Sequence, residues 1–281
     1  MILVTGATGT VGRELVQQLL DAGESVRAMT RNPAGAQFDP RVEVVAGDFA
    51  EPETIEKAVT GAQKVFSLVF GPQTGIQEGN LAQAAKAAGV RGIVKLSAMG
   101  AGVGATVGIG AWHAAGEKAI RESGIPWTIV RPGGFMSNAL FWRDSIRDQG
   151  KVFSNYGDGK VAYIHPRDIA AVAARALTES GHEGKIYELT GPEAISVGEQ
   201  VRILSDAVGK PIEYVPITDE VARERMLKLG LPSFIIDALL PFASVIRSGR
   251  VSQVSPVVEQ VTRRKPRTFA DWSHQHALSF R

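Results

Sequence analysis

Met1-Ile-Leu-Val-Thr-Gly-Ala-Thr-Gly-Thr-Val-Gly12 runs from an apolar stretch of strand type, Ile2 to Val4, into three glycines spaced three apart, Gly6, Gly9 and Gly12. Behind them Arg13-Glu-Leu-Val-Gln-Gln-Leu-Leu20 has the apolar spacing of an amphipathic helix. Strand, glycine turn and helix in that order form the layout of a dinucleotide-binding turn, one residue looser than the usual fingerprint. Gly6 permits a tight turn, Gly9 lets backbone approach a pyrophosphate and Gly12 lets the helix pack close to the strand. The helix N-terminus adds free N–H groups and a partial positive charge. A purely structural glycine loop would use the same residues, but the βαβ pattern that follows favours nucleotide binding.

The second strand decides which dinucleotide is expected. An NAD site places Asp or Glu near that strand's end to accept from the ribose 2′-hydroxyl. Here Ser25-Val-Arg-Ala-Met29 ends in Thr30-Arg31-Asn32-Pro33, with no acid. A guanidinium at Arg31 can bind a 2′-phosphate with charge-assisted bonds, so NADP(H) is expected in preference to NAD(H). The alternative is that Arg31 is only a solvated loop charge. Arg13 is a second candidate for the phosphate.

Strand-like runs at 2–5, 26–29, 42–46, 65–70, 93–97 and 127–131 alternate with helix-like segments near 11–21, 52–60, 76–88 and 113–123. This alternation predicts an α/β fold with a Rossmann-type, doubly wound parallel sheet. Gly23, Gly61, Gly89 and Gly124 each follow a helical stretch, where a left-handed residue ends a helix. Beyond about residue 135 the pattern loosens. Pro166 opens a further helix, 185–189 and 212–215 read as strands, and Ser196 with Glu199 forms a capping box. Apolar helices follow, broken at Gly230-Leu-Pro232 and Pro241. The expected division is an NAD(P)-binding Rossmann domain over 1–155, then 156–281 completing the sheet and forming a small C-terminal α/β substrate lobe over the nicotinamide.

The chain has 281 residues, 44% hydrophobic and 21% charged, with 31 Lys plus Arg against 29 Asp plus Glu. That near balance implies no nucleic-acid partner, and Arg263-Arg-Lys-Pro-Arg267 reads as a solvated turn without interleaved aromatics. The absence of cysteine excludes disulfides, thiolate metal sites and a catalytic thiol. No apolar run approaches the roughly 18 residues of a membrane span. With the first strand beginning at residue 2, no secretory leader is expected, and a cytoplasmic protein is.

Thr5-Gly-Ala-Thr-Gly-Thr-Val-Gly12, Arg31-Asn-Pro33, Gly47-Asp-Phe49, Lys95-Leu-Ser-Ala98, Ser123-Gly-Ile-Pro-Trp-Thr-Ile-Val-Arg-Pro-Gly-Gly-Phe-Met-Ser-Asn138 and Pro166-Arg-Asp-Ile-Ala170 together resemble the NmrA-like group of atypical short-chain dehydrogenases/reductases. The resemblance covers about residues 1–195. That group includes NADPH-dependent quinone reductases, triphenylmethane-dye reductases, reductases and isomerases of secondary metabolism, and regulators that bind NADP(H) without turnover. It implies a pyrophosphate lined by Gly6, Thr8, Gly9, Thr10, Val11 and Gly12, a 2′-phosphate at Arg31, and adenine beside Asp48 and Phe49. Leu68, Val69 and Phe70 would flank the ribose and bridge. Ser97, Lys118, Pro132, Gly133 and Phe135 would border the nicotinamide. From its residue type alone, Asp48 could equally be a turn or capping residue before Pro52.

Ordinary short-chain dehydrogenases carry Tyr four residues before Lys on one helix face. Here four residues before Lys118 stands Ala114, so the phenol acid is missing. His113 and Glu117 are i,i+4 and could hold an imidazole as acid, or form an ordinary helix-surface pair. Lys118 lies about 100° further round. Tyr163 is a third candidate acid or base. Reducing an isolated ketone needs a proton at the developing alkoxide, whereas a quinone or other conjugated acceptor spreads the charge and lets solvent finish. The expected activity is therefore NADPH-dependent hydride transfer to a quinone-like or conjugated aromatic acceptor, with the site mainly holding the reactants at near-attack distance.

Phe70, Trp112, Phe135, Phe141, Trp142 and Tyr163 could build a flat apolar slot, though several must be core. The run Gly100-Ala-Gly-Val-Gly-Ala-Thr-Val-Gly-Ile-Gly110 reads as a lid or a plain surface loop. Two other functions stay open. One is an NADP(H) sensor presenting 231–246 to a protein partner; the other is a biosynthetic ketoreductase or isomerase using His113, Lys118 or Tyr163. No histidine stands in a ligand-spaced cluster, so no metal is expected. The substrate is expected to be a small molecule, and a homodimer is a resemblance-level expectation.

Overall fold

The structure is a computed structural model that describes residues 1–104 and 108–281. Its strands are β1 (Ile2–Val4), β2 (Val26–Thr30), β3 (Glu43–Ala46), β4 (Lys64–Ser67), β5 (Ile93–Leu96), β6 (Trp127–Pro132), β7 (Lys151–Ser154), β8 (Lys185–Leu189) and β9 (Glu213–Pro216). The helices are α1 (Thr10–Asp21), α2 (Pro52–Val59), α3 (Thr74–Ala87), α4 (Gly108–Glu122), α5 (Arg143–Gln149), α6 (Pro166–Thr178), α7 (Val197–Val208), α8 (Asp219–Lys228), α9 (Ser233–Leu239), α10 (Pro241–Arg247), α11 (Val257–Thr262) and α12 (Phe269–His276).

The chain divides into two compact units. The first holds residues 1–132, 166–189 and 260–262. It contains a seven-stranded sheet in the order β3-β2-β1-β4-β5-β6-β8, every pair parallel. β1 and β5 are buried along their whole length, as parallel strands covered by helices on both faces must be. Strand order reverses between β1 and β4, and ligands bind outside the carboxyl ends of strands at such a switch point. On one face Leu3, Val65 and Ile93 pack with Ile55 and Val59 of α2, Leu81 of α3 and Ile120 of α4. The glycines after α1 to α4 all have positive φ, as their placement predicts.

Small residues let α3, α4 and β5 crowd together. A methyl at Gly116 would lie 2.8 Å from Thr74 Cγ2 and 3.1 Å from both Glu78 Cγ and Lys95 Cε. One at Gly75 would meet the Ala115 methyl at 3.0 Å.

The second unit holds 133–165, 190–259 and 263–281. β7 and β9 form a parallel pair, and Val152, Ile146, Val201, Leu204, Phe269, Trp272 and Phe280 share its core. The Ser196–Glu199 capping box forms as expected, with both reciprocal bonds present. The chain leaves the first unit after Pro132 rather than at 155, and α6 with β8 returns to it. The physical reason lies at the end of β6, where Pro132 cannot donate to a ladder and Gly133-Gly134 carry no side chain to bury. The lid expected over 100–110 falls partly on residues 105–107, outside the described residues; before them 99–103 form a 3-10 turn.

Candidate functional site

β1 delivers Thr5 to the switch point. Its amide donates to Phe66 O at 3.0 Å and its hydroxyl accepts from Leu68 N at 2.9 Å, which pins the exit of β4 beside the glycine turn. Gly6 turns with φ +60, and Gly9 N–H closes the turn on Gly6 O at 3.0 Å. A Cβ at Gly12 would lie 2.2 Å from Gly6 O and 2.8 Å from Ala7 Cα, so no side chain fits while α1 sits this close. Gly9 caps α1 with its backbone, no side chain bonds to the helix start, and no acid occupies the first turn. Thr8, Gly9 and Thr10 are exposed, while Val11 is buried. This bare, positively polarised N-terminus behind a glycine cradle fits a dinucleotide pyrophosphate.

Beyond β2, Asn32 Oδ1 accepts from Gly35 N at 3.2 Å and fixes the turn that follows Arg31. Arg31 is exposed and makes no hydrogen bond or ion pair among the described residues, which leaves its guanidinium available to an anion. Arg13 is committed instead, donating to Thr8 O at 3.0 Å and Gln37 O at 3.3 Å and standing 5.6 Å from the Phe38 ring centroid. Asp48 accepts from Ala50 N at 2.9 Å through Oδ1, so the turn role is present alongside any adenine contact. Phe49 packs half-buried against the core of this unit.

Past β4, Leu68 is half-buried, Val69 is buried and Phe70 is 54% exposed. Trp112 meets the Phe70 ring edge-on at 5.6 Å, and the His113 ring lies 6.2 Å away. Beneath them sits a charge network that no single sequence motif announces. Lys95 Nζ, wholly buried, contacts Glu78 Oε1 at 2.5 Å, and Ser67 Oγ donates to Glu78 Oε2 at 2.6 Å. Nearby, Glu117 accepts from Ser97 Oγ at 2.6 Å, from Arg131 through two parallel bonds, and from Arg121. Burial pushes the Glu117 carboxyl up, but the bonds from Arg131, Ser97 and Arg121 outweigh it and hold it below the usual range. A Lys inside the apolar run Ile93-Val-Lys-Leu96 was the available signal for the first network.

Three expectations are corrected. Glu117 is not the partner of His113: its oxygens are taken by Arg131, Ser97 and Arg121. Burial, reinforced by the Lys95 charge, lowers the His113 pKa to about 3, so the imidazole is neutral rather than a charged acid. Lys118 points away from the buried face of α4; its side chain is 74% exposed and its partner is Glu122 at 3.9 Å. Tyr163 lies in the core of the second unit, where burial and the Tyr156 phenol push its pKa up and leave it no titration near neutrality. Its ring fills the space a side chain at Gly134 would need.

Of the remaining candidates, Ser97 is buried with its hydroxyl spent on Glu117, and Pro132 is buried at the end of β6. Gly133 and Phe135, both half-buried, belong to the second unit, where Phe135 bridges to Ile164. In that unit Trp142 packs against the core and Phe141 is exposed.

The sequence model described as NAD(P)H-binding matches residues 6–180. The chain belongs to this NAD(P)H-binding family. Over its whole length it is 40% identical to the NAD(P)H azoreductase of Xenophilus azovorans, covering 99% of it. It is 43% identical, again over the whole chain and 99% of the relative, to (4-alkanoyl-5-oxo-2,5-dihydrofuran-3-yl)methyl phosphate reductase of Streptomyces griseus. The NADPH-dependent quinone oxidoreductase QOR2 of Escherichia coli, solved with NADPH, has a TM-score of 0.84 at 29% identity, over 98% of this chain and 99% of that one. NmrA, a negative transcriptional regulator, shares the fold at TM-score 0.78 and 18% identity, over 98% and 94% of the two chains. The resemblance to the NmrA-like group holds, and this family member is an NAD(P)H-dependent oxidoreductase. Among the described residues no helix is long and apolar enough to cross a membrane.

Proposed function

We propose that the chain is an NADPH-dependent reductase that passes hydride to a quinone-like or otherwise conjugated small molecule without a tyrosine acid. The observation that carries this reading is the composition of α4 and its surroundings. Ala114 stands where the phenol would be, Lys118 faces solvent, Ser97 is bound to Glu117, and His113 is neutral. An acceptor that needs a strong acid at a developing alkoxide finds none in this set. One that spreads charge through a π system needs only to be held in place while solvent supplies the proton.

Bound NADPH would supply the hydride. The bare start of α1 with Gly6, Gly9 and Gly12 would take the pyrophosphate, and Arg31 the 2′-phosphate, which favours NADPH over NADH. Arg131, Glu117 and Ser97 fix the exits of β5 and β6, so the floor beneath the acceptor is rigid. The names of the relatives point the same way: an azo compound, a quinone and an unsaturated lactone each carry a conjugated system.

Calorimetric titration with NADPH and NADH, followed by addition of menadione to the NADPH complex, tests the reading. Tighter NADPH binding with rapid oxidation supports it. Binding of both oxidation states without oxidation by any quinone or azo dye replaces it with a sensing role.

A further inference from the structure

Resting on the reductase reading, we propose that His113 holds the acceptor, its neutral imidazole donating a hydrogen bond from Nε2 to the carbonyl oxygen or azo nitrogen of a ring seated against Phe70. His113 is 5% exposed, and its Nδ1 is sealed from solvent with no hydrogen-bond partner. Nε2 is not sealed, and it too makes no hydrogen bond among the described residues. With Nδ1 sealed and unpartnered, Nε2 is the one ring nitrogen that can hydrogen-bond outward, to solvent or to a bound molecule.

The tautomer follows from the neighbours. The charges of Lys95 and Glu117 both reach the ring and oppose each other, while the oxygens of Glu117 are taken by two arginines and a serine and leave none for the imidazole. Glu78 is likewise consumed by Lys95 and Ser67. The sealed Nδ1 is better as a lone pair than as an orphaned N–H, which places the proton on Nε2, the nitrogen that is not sealed. Phe70, 54% exposed and braced edge-on by Trp112, supplies an apolar ring face 6.2 Å from the imidazole.

A planar acceptor stacked on Phe70 thus meets an oriented donor. When the hydride and its two electrons enter the π system, negative charge gathers on the heteroatom that Nε2–H contacts. His113 keeps its proton, and the second hydrogen of the product comes from solvent water. This differs from acid catalysis, since the imidazole is never charged.

The test measures menadione binding to the protein loaded with NADP⁺, which cannot reduce it, for the unmodified chain, His113→Phe and His113→Gln. His113→Phe is expected to weaken menadione about five- to tenfold, the worth of one hydrogen bond, and His113→Gln, which keeps an N–H, about twofold at most. 2-Methylnaphthalene, with the same rings and no carbonyl, is expected to bind all three alike. Equal NADP⁺ affinity in the three proteins shows that they are folded. Unchanged menadione binding in His113→Phe, or a loss in His113→Gln as large as in His113→Phe, overturns the assignment. If the unmodified chain oxidises NADPH with menadione while both variants match it, only the role of His113 fails. If the unmodified chain neither binds nor reduces menadione, the reductase reading fails and this assignment with it.

Discussion

Arg131, near the end of β6, grips Glu117 of α4 with two parallel bonds, Nε to Oε1 at 2.8 Å and Nη2 to Oε2 at 2.7 Å. The carboxylate side chain is 2% exposed, so the pair acts away from solvent screening and ties a helix to the strand ends that shape the site. Glu117→Gln removes the carboxylate that the buried guanidinium grips and leaves it only Glu188, half-exposed and 3.5 Å away. The expected loss of stability is about 3 kcal/mol, read from the urea midpoint. Arg131→Lys keeps the charge but loses the fork, so its midpoint should fall between the two. An unshifted midpoint in Glu117→Gln would show that the network does not hold these elements.

Gly12 and Gly23 separate two reasons for a glycine. A methyl at Gly12 would stand 2.2 Å from Gly6 O, whereas nothing lies within 4 Å of one at Gly23, whose φ is +80. Gly12→Ala must push α1 off the loop and should weaken NADPH by more than about a hundredfold. Gly23→Ala should cost about 1 kcal/mol of stability from its backbone conformation and leave cofactor binding unchanged. Titration of both variants with NADPH distinguishes them.

Arg31 makes no hydrogen bond or ion pair among the described residues, so its removal should leave the fold intact. Arg31→Ala is expected to weaken NADPH about ten- to a hundredfold while NADH affinity stays within about twofold. Equal effects on the two cofactors would mean that the guanidinium does not read the 2′-phosphate.

His113 predicts a pH dependence of stability. Its pKa falls from 6.5 in the unfolded chain to about 3 in the folded one, chiefly through burial. Between those values the unfolded state binds a proton that the folded state refuses, so stability is complete above pH 6.5 and declines as pH falls toward 3. The slope is about 1 kcal/mol per pH unit. Glu117 acts in the same sense at lower pH: its lowered pKa contributes stability above its unfolded value of 4.5, lost as pH falls through the folded value. Urea midpoints across pH 4 to 7 should show the upper slope, and His113→Phe should abolish it.

The strand–glycine–helix order, the crossover pattern and the tight glycine turn were legible because each depends on neighbours close in sequence. Gly12 is required by Gly6, six residues away, and the helix caps lie within a turn. The buried charge network behind α4 was not legible, because its partners are distant: Lys95 and Glu78 are separated by 17 positions, Arg131 and Glu117 by 14. On α4 the 100° step from Glu117 to Lys118 was visible, but only packing against α3 and β5 shows that the His113–Glu117 side is the buried one. β7 was missed because Lys151–Ser154 is too short to show a period, and its partner β9 lies about 60 residues on.

The central claim is tested most directly by mixing the protein with NADPH and menadione without oxygen, and repeating with NADPH deuterated at the transferred position. Hydride transfer without a tyrosine acid predicts one NADPH consumed per menadione reduced, slowed by the deuterium. Consumption of NADPH no faster than in the absence of protein, with NADPH still tightly bound, would contradict it.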